Sequence, residues 1–521
     1  MSASDTYVNQ VLQVLSTEPK KIVLSWRGTA VTAAEFTTGV RSAAEVLRRR
    51  HGEDGLDGGA GPVVAVLTVT NSPATLILRY AANLTGATVV HLHTTNAVDP
   101  GDRLTRNAEL RILTDTHATV LAVDAEHLAA ARELRDLLPN PPVLAALGDL
   151  GPDVLDLSAG DEAAFDPTAV DVLPDRAAVV TYTSGTTGQP KGIAVDFRTR
   201  NGFIVAGLRM KWRSVYLATL PMSHSSGATA DDSLASGGSV VLHDGFEAGE
   251  VLRAVREHRV SRLLVSPPQL YQLLDHPDLA ATDLSALTML CYTGCPASPE
   301  RLGEAVKVFG PALVQVYGSS EAGAISMLTP AEHLEADLRT TVGRPLAGEV
   351  RIRDPHGHHD LPVGEVGEVC VRSPFAMREY LNDPELTART VRDGWVHTGD
   401  LGRLDEHGYL RLHGRMSDVI KTNGIKVYPT AVENVLLSHP DVVQAAVFGV
   451  PDADHVEHLH AAVVLRAGGD ASSADLREHV AAELSPKQAP AVIDLRTRLP
   501  LTGTGKPDRA RLVSDTTRGR P

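Results

Sequence analysis

Short apolar segments of strand length recur along this 521-residue chain up to about residue 320, and helical segments separate them. One such helix, Thr75–Leu84, leads from one apolar segment to the next, and Thr32-Ala33-Ala34-Glu35 is a capping box that opens another. This alternation predicts an α/β architecture in which helices cover parallel sheets. The predicted strands are Val63–Thr68, Thr88–His91, Thr119–Val123, Val179–Tyr182, Ser239–Leu242, Arg262–Val265 and Leu313–Tyr317.

From about residue 341 the pattern changes to short strands separated by turns, which predicts a smaller β-rich subdomain, a distorted barrel. After Gly414 a compact α+β pattern begins, and we place a domain boundary between residues 414 and 415. The short strands are Gly348–Arg353, Gly367–Arg372, Trp395–His397 and Tyr409–His413. The α+β pattern comprises helices Thr430–Leu437 and Ala474–Leu484 and strands Val442–Val450 and His460–Leu465.

Composition and charge exclude several classes of protein. Hydrophobic residues make up 43% of the chain, as expected of a globular protein, and the net charge of −15 argues against nucleic acid as a partner. The three cysteines do not form a disulfide framework, which favours a reducing compartment. We find no secretory signal, and the apolar stretches are too short to span a membrane. We therefore predict a cytoplasmic protein with no membrane partner.

Residues 181 to 192 read Thr-Tyr-Thr-Ser-Gly-Thr-Thr-Gly-Gln-Pro-Lys-Gly, directly after an apolar strand. Glycines let a backbone approach a polyanion, hydroxyl and N–H groups donate to its oxygens, and a lysine supplies positive charge. The segment is not a Walker loop, because its lysine lies between Pro190 and Gly192. It predicts a phosphate-binding loop, although composition alone is also compatible with an ordinary surface turn.

Further motifs also contain residues suited to binding a nucleotide. Tyr317 and Glu321 follow an apolar strand and offer an aromatic face and a carboxylate suited to Mg²⁺. Asp400 has a carboxylate that can accept hydrogen bonds from ribose hydroxyls, and Arg415 lies at the predicted domain boundary. Lys506 ends a Gly/Thr-rich segment near the C-terminus. Taken singly, each is also compatible with a structural turn or a solvated side chain.

The order and spacing of these motifs resemble those of the adenylate-forming superfamily, which comprises acyl- and aryl-CoA synthetases, nonribosomal peptide adenylation domains and luciferases. The resemblance runs from about Val31 to Lys506. It implies an α/β fold: a large N-terminal AMP-binding domain over residues 1–414, with two helix-covered β-sheets plus a distorted β-barrel subdomain. A small mobile α+β C-terminal domain over residues 415–521 is implied to follow, with its hinge near Asp418.

The resemblance also implies a site for ATP. The hydroxyl-rich loop contacts the β- and γ-phosphates, Tyr317 stacks on adenine, and Asp400 and Arg415 hold the ribose. Position 320 is Ser where the family mostly has Thr, so the hydroxyl is kept. The residues implied to bind ATP are Thr183, Ser184, Gly185, Thr186, Thr187, Gly188, Lys191, Gly294, Tyr317, Gly318, Ser319, Ser320, Asp400 and Arg415.

The same resemblance implies the catalytic groups. Lys506 contacts the reacting carboxylate and the α-phosphate, and Glu321 helps to hold Mg²⁺. His224, in a Pro-Met-x-His motif, faces the acyl pocket, although a core histidine without chemistry remains an alternative. Lys426 contacts phosphate or carboxylate in one domain orientation, or is an exposed lysine. Gly424 matches a glycine of the channel through which the nucleophile enters.

Two features bear on the substrate. Asp231 and Asp232 stand where acyl-CoA synthetases usually carry an apolar helix. Because a lone buried charge is costly, we interpret Asp231 or Asp232 as a group that recognises an amino, ring N–H or hydroxyl group, the alternative being a helix cap or an exposed acid. The small residues Gly294, Gly318, Gly323 and Ala324 favour a flat slot and an aromatic or planar acid.

The predicted function is ATP-dependent activation of a carboxylic acid as an acyl-adenylate, followed by transfer to the thiol of CoA, the expected co-substrate. Alternatives for the second step are transfer to an amine, forming an amide, or to a carrier-protein thiol supplied in trans. A variant that activates a group other than a carboxylate also stays open. A different class, an inactive nucleotide-binding scaffold, is expected to lack the magnesium or transfer residues, and Glu321, Asp400, Arg415 and Lys506 are present.

Overall fold

A computed structural model describes residues 1–53, 61–93, 104–184, 190–208, 212–357, 359–422, 425–452, 456–466, 468–502 and 505–518. The chain divides into two compact units. The first unit comprises residues 1–264, 282–287 and 374–389, and the second comprises residues 265–281, 288–373 and 390–521. Within the described ranges, no helix is both long and apolar enough to cross a membrane.

The helices begin where the sequence supplies capping groups. Thr32 caps the second helix as predicted: its backbone N–H donates to Glu35 Oε2 at 2.8 Å and its hydroxyl accepts from the Glu35 N–H at 3.2 Å. The α-helices are α1 Tyr7–Ser16, α2 Ala33–Glu53, α3 Pro73–Leu84, α4 Arg106–Asp115, α5 Leu128–Asp136, α6 Phe197–Leu208, α7 Ser225–Ala235, α8 Ala248–Glu257, α9 Pro267–Leu274, α10 Pro299–Phe309, α11 Pro384–Thr390, α12 Pro429–Ser438, α13 Ser473–Glu483 and α14 Arg509–Arg518.

The strands are mostly short and apolar. They are β1 Ile22–Trp26, β2 Thr29–Thr32, β3 Val63–Leu67, β4 Thr88–His91, β5 Val120–Val123, β6 Val143–Ala146, β7 Val154–Asp156, β8 Ala177–Ser184, β9 Pro190–Asp196, β10 Val215–Ala218, β11 Ser239–Leu242, β12 Arg262–Val265, β13 Met289–Tyr292, β14 Leu313–Ser319, β15 Gly323–Leu328, β16 Arg344–Pro345, β17 Glu349–Arg353, β18 Gly367–Arg372, β19 Glu379–Tyr380, β20 Val391–Arg392, β21 Trp395–Leu404, β22 Leu410–Arg415, β23 Ile420–Thr422, β24 Ile425–Val427, β25 Val442–Pro451, β26 Glu457–Leu465 and β27 Val492–Arg496.

The first unit contains sheets of the predicted α/β kind. One has the strand order β19-β9-β8-β4-β3-β5-β6-β7, in which the pairs from β8 to β7 are parallel and β9 is antiparallel to both of its neighbours. A second sheet includes the run β12-β10-β11-β1-β2, and the pairs of this run are parallel except for β1 with β2. Strand β3 is buried along its whole length, as expected of a parallel strand covered on both faces.

The second unit contains the predicted β-rich and α+β regions. Strands β13 to β16 pair in sequence order, and β17, β18, β21, β20 and β22 form a five-stranded antiparallel sheet. Near the C-terminus β25, β26 and β27 form a three-stranded sheet, with α12 and α13 packed on one face and α14 on the other. The predicted fold class is confirmed. The boundary between residues 414 and 415 stays a prediction.

Candidate active site

The second unit brings Tyr317, Asp400 and Arg415 together. The Tyr317 hydroxyl donates to Asp400 Oδ2 at 2.6 Å, and Arg415 Nε lies 3.1 Å from Asp400 Oδ1. Asp400 on β21 and Arg415 at the end of β22 are directly opposite each other in the antiparallel register. Gly399 and Asp400 therefore lie inside a strand, and the alternative of an ordinary turn is wrong because β21 continues to Leu404.

Burial shifts the pKa values of Asp400 and Tyr317. Burial raises the pKa of Asp400, while Arg415 and the Tyr317 hydrogen bond lower it in part. Burial, followed by the charge of Asp400, raises the pKa of Tyr317 well above its usual value, so the phenol stays a donor. A carboxylate offers about four lone-pair positions, so Asp400 keeps acceptor capacity for hydroxyl groups after binding these two donors.

Buried residues that were not predicted from the sequence support the Gly399–Asp400 segment. Glu368 on β18 accepts from the Gly399 N–H at 3.2 Å and lies 2.8 Å from His397 Nδ1. Cys370 Sγ is 3.4 Å from the same ring nitrogen. These residues form the one cluster of three possible metal ligands within the described ranges, but both Glu368 oxygens already have partners. The sequence feature that could have indicated this contact is Glu368, an acidic residue within a mostly apolar strand.

Lys506 occupies a tight turn in the second unit. The Thr502 N–H donates to the Lys506 carbonyl at 2.7 Å, and the Lys506 N–H donates to the Thr502 hydroxyl at 3.2 Å. A Cβ atom built on Gly294 would lie 3.0 Å from Lys506 Cε, and Gly294 has a φ of +98°. Glycine at 294 therefore leaves room for the lysine stem beside the end of β13.

Lys506 is exposed to solvent, yet its ammonium group lies among charged groups and is partly desolvated by its surroundings. Desolvation lowers the pKa of Lys506 from its ordinary value of 10.5, and Arg415 lowers it further. Cys295, Asp400 and Glu321 act in the opposite direction. The second unit therefore gathers Lys506, Glu321, Asp400 and Arg415 within electrostatic range of one another.

The backbone geometry around Tyr317 accounts for its neighbouring glycines. A Cβ atom on Gly318 would lie 2.3 Å from the Gly323 carbonyl oxygen, so the β14–β15 pairing itself requires glycine at 318. Gly323 has a φ of +71°. The Ser319 hydroxyl accepts from the Ala322 N–H at 3.1 Å and closes this turn, and Ser320 is exposed. The flat slot for a planar acid stays a prediction.

The first unit holds the start and end of the phosphate-loop motif. Thr183 on β8 and Lys191 on β9 are cross-strand partners, so the motif connects two antiparallel strands. The Lys191 ammonium lies 5.9 Å from the centroid of the Tyr380 ring. The Ser184 side chain and the predicted phosphate ligands Gly185, Thr186, Thr187 and Gly188 lie outside the described residues, and their role stays a prediction.

His224 directly precedes α7, the helix that carries Asp231. It is half-buried, and the neighbouring Ser223 carbonyl accepts from the Thr181 hydroxyl at 2.9 Å, which connects this segment to β8. The role of His224 at the acyl pocket stays a prediction.

Asp231 is fully buried and its carboxylate is paired with groups of the protein itself. It forms ion pairs with Arg79 and Arg200 and accepts from the Tyr80 hydroxyl at 2.8 Å. Asp231 is thus neither a helix cap nor an exposed acid, and the partners that sequence reasoning missed lie on α3 and α6. Asp232 pairs with Arg262 instead. The carboxylate oxygens of Asp231 have these partners within the protein, and the substrate-recognition role of Asp231 or Asp232 stays a prediction.

Lys426 on β24 is exposed, opposite Lys421 in the β23–β24 pair. Asp418 lies 3.8 Å from Arg509 at the start of α14. The catalytic role of Lys426 and the hinge at Asp418 stay predictions, and Gly424 lies outside the described residues.

Comparison with known proteins identifies the family. Residues 12–381 match the model of the AMP-binding enzyme family, and residues 431–506 match the model of the AMP-binding enzyme C-terminal domain. The chain is an AMP-binding enzyme. It belongs to the adenylate-forming superfamily, and the predicted resemblance is confirmed.

The relatives of this AMP-binding enzyme differ in acid and in acceptor. It is 35% identical to a medium/long-chain-fatty-acid–CoA ligase from Mycobacterium tuberculosis, over 91% of this chain and 84% of the relative. It is 32% identical to a feruloyl-CoA synthase from Amycolatopsis, over 92% of each chain. The structure of the amide bond synthetase McbA from Marinactinospora thermotolerans has a TM-score of 0.84 and 33% identity, covering 98% of this chain and 99% of that one. The AMP-binding enzyme is thus an AMP-forming ligase.

The lowered pKa of Lys506 predicts how pyrophosphate release depends on pH. Because desolvation lowers that pKa below 10.5, the ammonium is expected to lose its proton at lower pH than an ordinary lysine. Pyrophosphate release is therefore expected to decline as pH rises through a value below 10.5. In Lys506→Arg any residual activity is expected to lack this alkaline limb, because arginine stays protonated. Pyrophosphate release against pH for both proteins is the measurement, and the same limb in both would assign it to another group.

Proposed function

We propose that this AMP-binding enzyme activates an aromatic or planar carboxylic acid with ATP and Mg²⁺ and transfers the acyl group to the thiol of CoA. The observation that carries the first step is the position of Lys506 beside Gly294, within electrostatic range of Asp400, Glu321 and Arg415. These residues fit a nucleotide: Asp400 keeps acceptors for ribose hydroxyls, Tyr317 has an aromatic face, and the Lys506 cation suits phosphate oxygens.

In the first step a carboxylate oxygen of the acid attacks the α-phosphorus of ATP. A bond forms between that oxygen and phosphorus, the bond from the α-phosphorus to the bridging oxygen breaks, and pyrophosphate leaves. Two anions meet in this transition state, so positive charge at the reacting oxygens lowers its energy, and Lys506 is the side chain we assign to this role. Glu321 would hold Mg²⁺, which when bound neutralises phosphate charge.

In the second step the thiol sulfur of CoA attacks the acyl carbon, and AMP leaves with the former carboxylate oxygen. The thiol proton is released to solvent or to a base. The similarity to the fatty-acid and feruloyl ligases supports CoA as the acceptor, and the feruloyl relative supports a planar acid.

A second candidate acceptor is an amine, which gives an amide and AMP. The similarity that favours it is to the amide bond synthetase, which extends over 98% of this chain. The acid-activating step and its residues are the same for both candidates, so only product analysis separates them.

The test is pyrophosphate release with a panel that contains a hydroxycinnamic acid, a bicyclic heteroaromatic acid, a medium-chain fatty acid and an amino acid. Each active acid is then incubated with ATP plus CoA, plus a primary amine, or with neither, and products are identified by mass spectrometry. We expect a planar acid to be preferred and a thioester to form with CoA. Amide without thioester would establish the second candidate, and a preference for the fatty acid would contradict the planar slot. No pyrophosphate with any acid would contradict acid activation.

A further inference from the structure

The turn that carries Lys506 is attached to the start of helix α9 by one side chain. The Ser266 hydroxyl donates a hydrogen bond to the Gly505 carbonyl oxygen at 2.9 Å. Ser266 is buried, with 2% of its surface exposed. The bond therefore forms away from bulk water, where a lost partner costs more than at the surface.

The local structure of α9 fixes the direction of the Ser266 hydroxyl. Ser266 caps this helix: its oxygen accepts from the Gln269 N–H at 3.5 Å, and Gln269 Oε1 accepts from the Ser266 N–H at 2.9 Å. The oxygen thus serves the helix as an acceptor, which leaves the hydroxyl proton for the Gly505 carbonyl.

The backbone conformation of Gly505 and its lack of a side chain permit this close approach. Its φ is +79°, and a Cβ atom there would lie 2.7 Å from Ser266 Oγ and 3.0 Å from Gln269 Nε2. Only a residue without a side chain brings its backbone so near to the helix cap in this conformation. Lys506 follows immediately, so holding the Gly505 carbonyl also fixes the starting point of the lysine side chain.

We propose that Ser266 is a positioning residue for Lys506, and that its hydrogen bond to the Gly505 carbonyl holds the lysine beside Gly294 during adenylate formation. The proposal rests on the function proposed above. It assigns Ser266 to the first step alone: adenylate formation joins two anions and needs the lysine charge at phosphorus. Thioester formation from a finished adenylate makes no bond to phosphorus, so it does not need the lysine held at that point.

The test uses variants that separate the helix cap from the Gly505 bond. Ser266→Asp keeps an oxygen acceptor for the cap but removes the donor, and Ser266→Thr keeps both. Ser298→Ala is the matched control, since Ser298 is buried and caps α10 by accepting from the Arg301 N–H at 3.3 Å. Unfolding midpoints of all variants report on the cap.

We expect Ser266→Asp to slow pyrophosphate release by about 3- to 10-fold, the loss of roughly one hydrogen bond. Thioester formation from synthetic acyl-adenylate and CoA is expected to stay within about twofold of wild type, and Ser266→Thr to retain adenylation. A wild-type rate of adenylation in Ser266→Asp, or an equal fall in both half-reactions, would overturn the positioning role.

A second measurement does not depend on activity, so it separates this proposal from the proposed function. We expect an amine-reactive reagent to label Lys506 faster in Ser266→Asp than in wild type, with the exposed Lys20 as internal reference. Peptide mass spectrometry gives both rates. Unchanged labelling of Lys506 would contradict the proposal even if acid activation is demonstrated. Faster labelling would support it even if no acid in the panel is activated.

Discussion

Replacing Lys506 by alanine is expected to lower the rate of pyrophosphate release by about 10²–10³-fold, comparable to removing one charge donor from a transition state. The physical reason is its location: the side chain lies beside Gly294, and partial desolvation lowers the pKa of its ammonium, so its charge is screened less than that of a fully solvated lysine. The measurement is the single-turnover rate of pyrophosphate release at saturating ATP and acid.

Lys487→Ala is the control for this experiment, because Lys487 is an exposed lysine of the same unit. It is expected to release pyrophosphate at the wild-type rate. Adenylation by Lys506→Ala at near wild-type rate would remove Lys506 from its assigned role. Loss of thioester formation from a preformed adenylate, with adenylation unchanged, would move the lysine to the second step.

The second large effect concerns stability. Asp231→Asn is expected to lower the free energy of unfolding of the first unit by about 3–5 kcal/mol, because it leaves the buried Arg79 and the partly buried Arg200 without their counter-charge. The side chain of Arg79 is 2% exposed, so solvent cannot replace the lost carboxylate. Urea unfolding followed by circular dichroism and by limited proteolysis gives the change for this unit.

Asp232→Asn is the matched control, one residue along the same helix. Its partner Arg262 and Asp232 itself are each 17% exposed, so the loss is expected to be smaller. Equal unfolding midpoints for the two variants would contradict the buried-pair argument. A folded Asp231→Asn protein with an altered acid preference would instead establish the substrate role predicted from the sequence.

Local patterns were sufficient for several parts of the fold. The Thr32–Glu35 capping box opens α2, the apolar segment before the hydroxyl-rich motif is strand β8, and the turn-punctuated segments after residue 341 form the antiparallel sheet of the second unit. Each depends on neighbours in sequence or on a short period. Strand ends were less predictable: β21 continues past His397 to Leu404, because pairing with β22 extends it through Gly399 and Asp400.

No local sequence pattern predicts which groups pair with the buried polar side chains. Arg79 and Asp231 are 152 positions apart, and Glu368 is 31 positions from the Gly399 N–H that it accepts from. The contact of Ser266 with Gly505 spans 239 positions. Which buried donor meets which acceptor depends on the packing of whole elements, and a single sequence contains no record of it.

The α/β class, the AMP-binding motifs and the candidate charged groups follow from the amino-acid sequence, because hydrophobic period and motif spacing are local properties of the chain. The packed fold was needed to show that Tyr317 and Arg415 share Asp400, that Lys506 lies beside Gly294, and that Asp231 pairs with two arginines. The reason is desolvation: a polar group buried by folding must find its partner in space, and that partner is set by the packed fold.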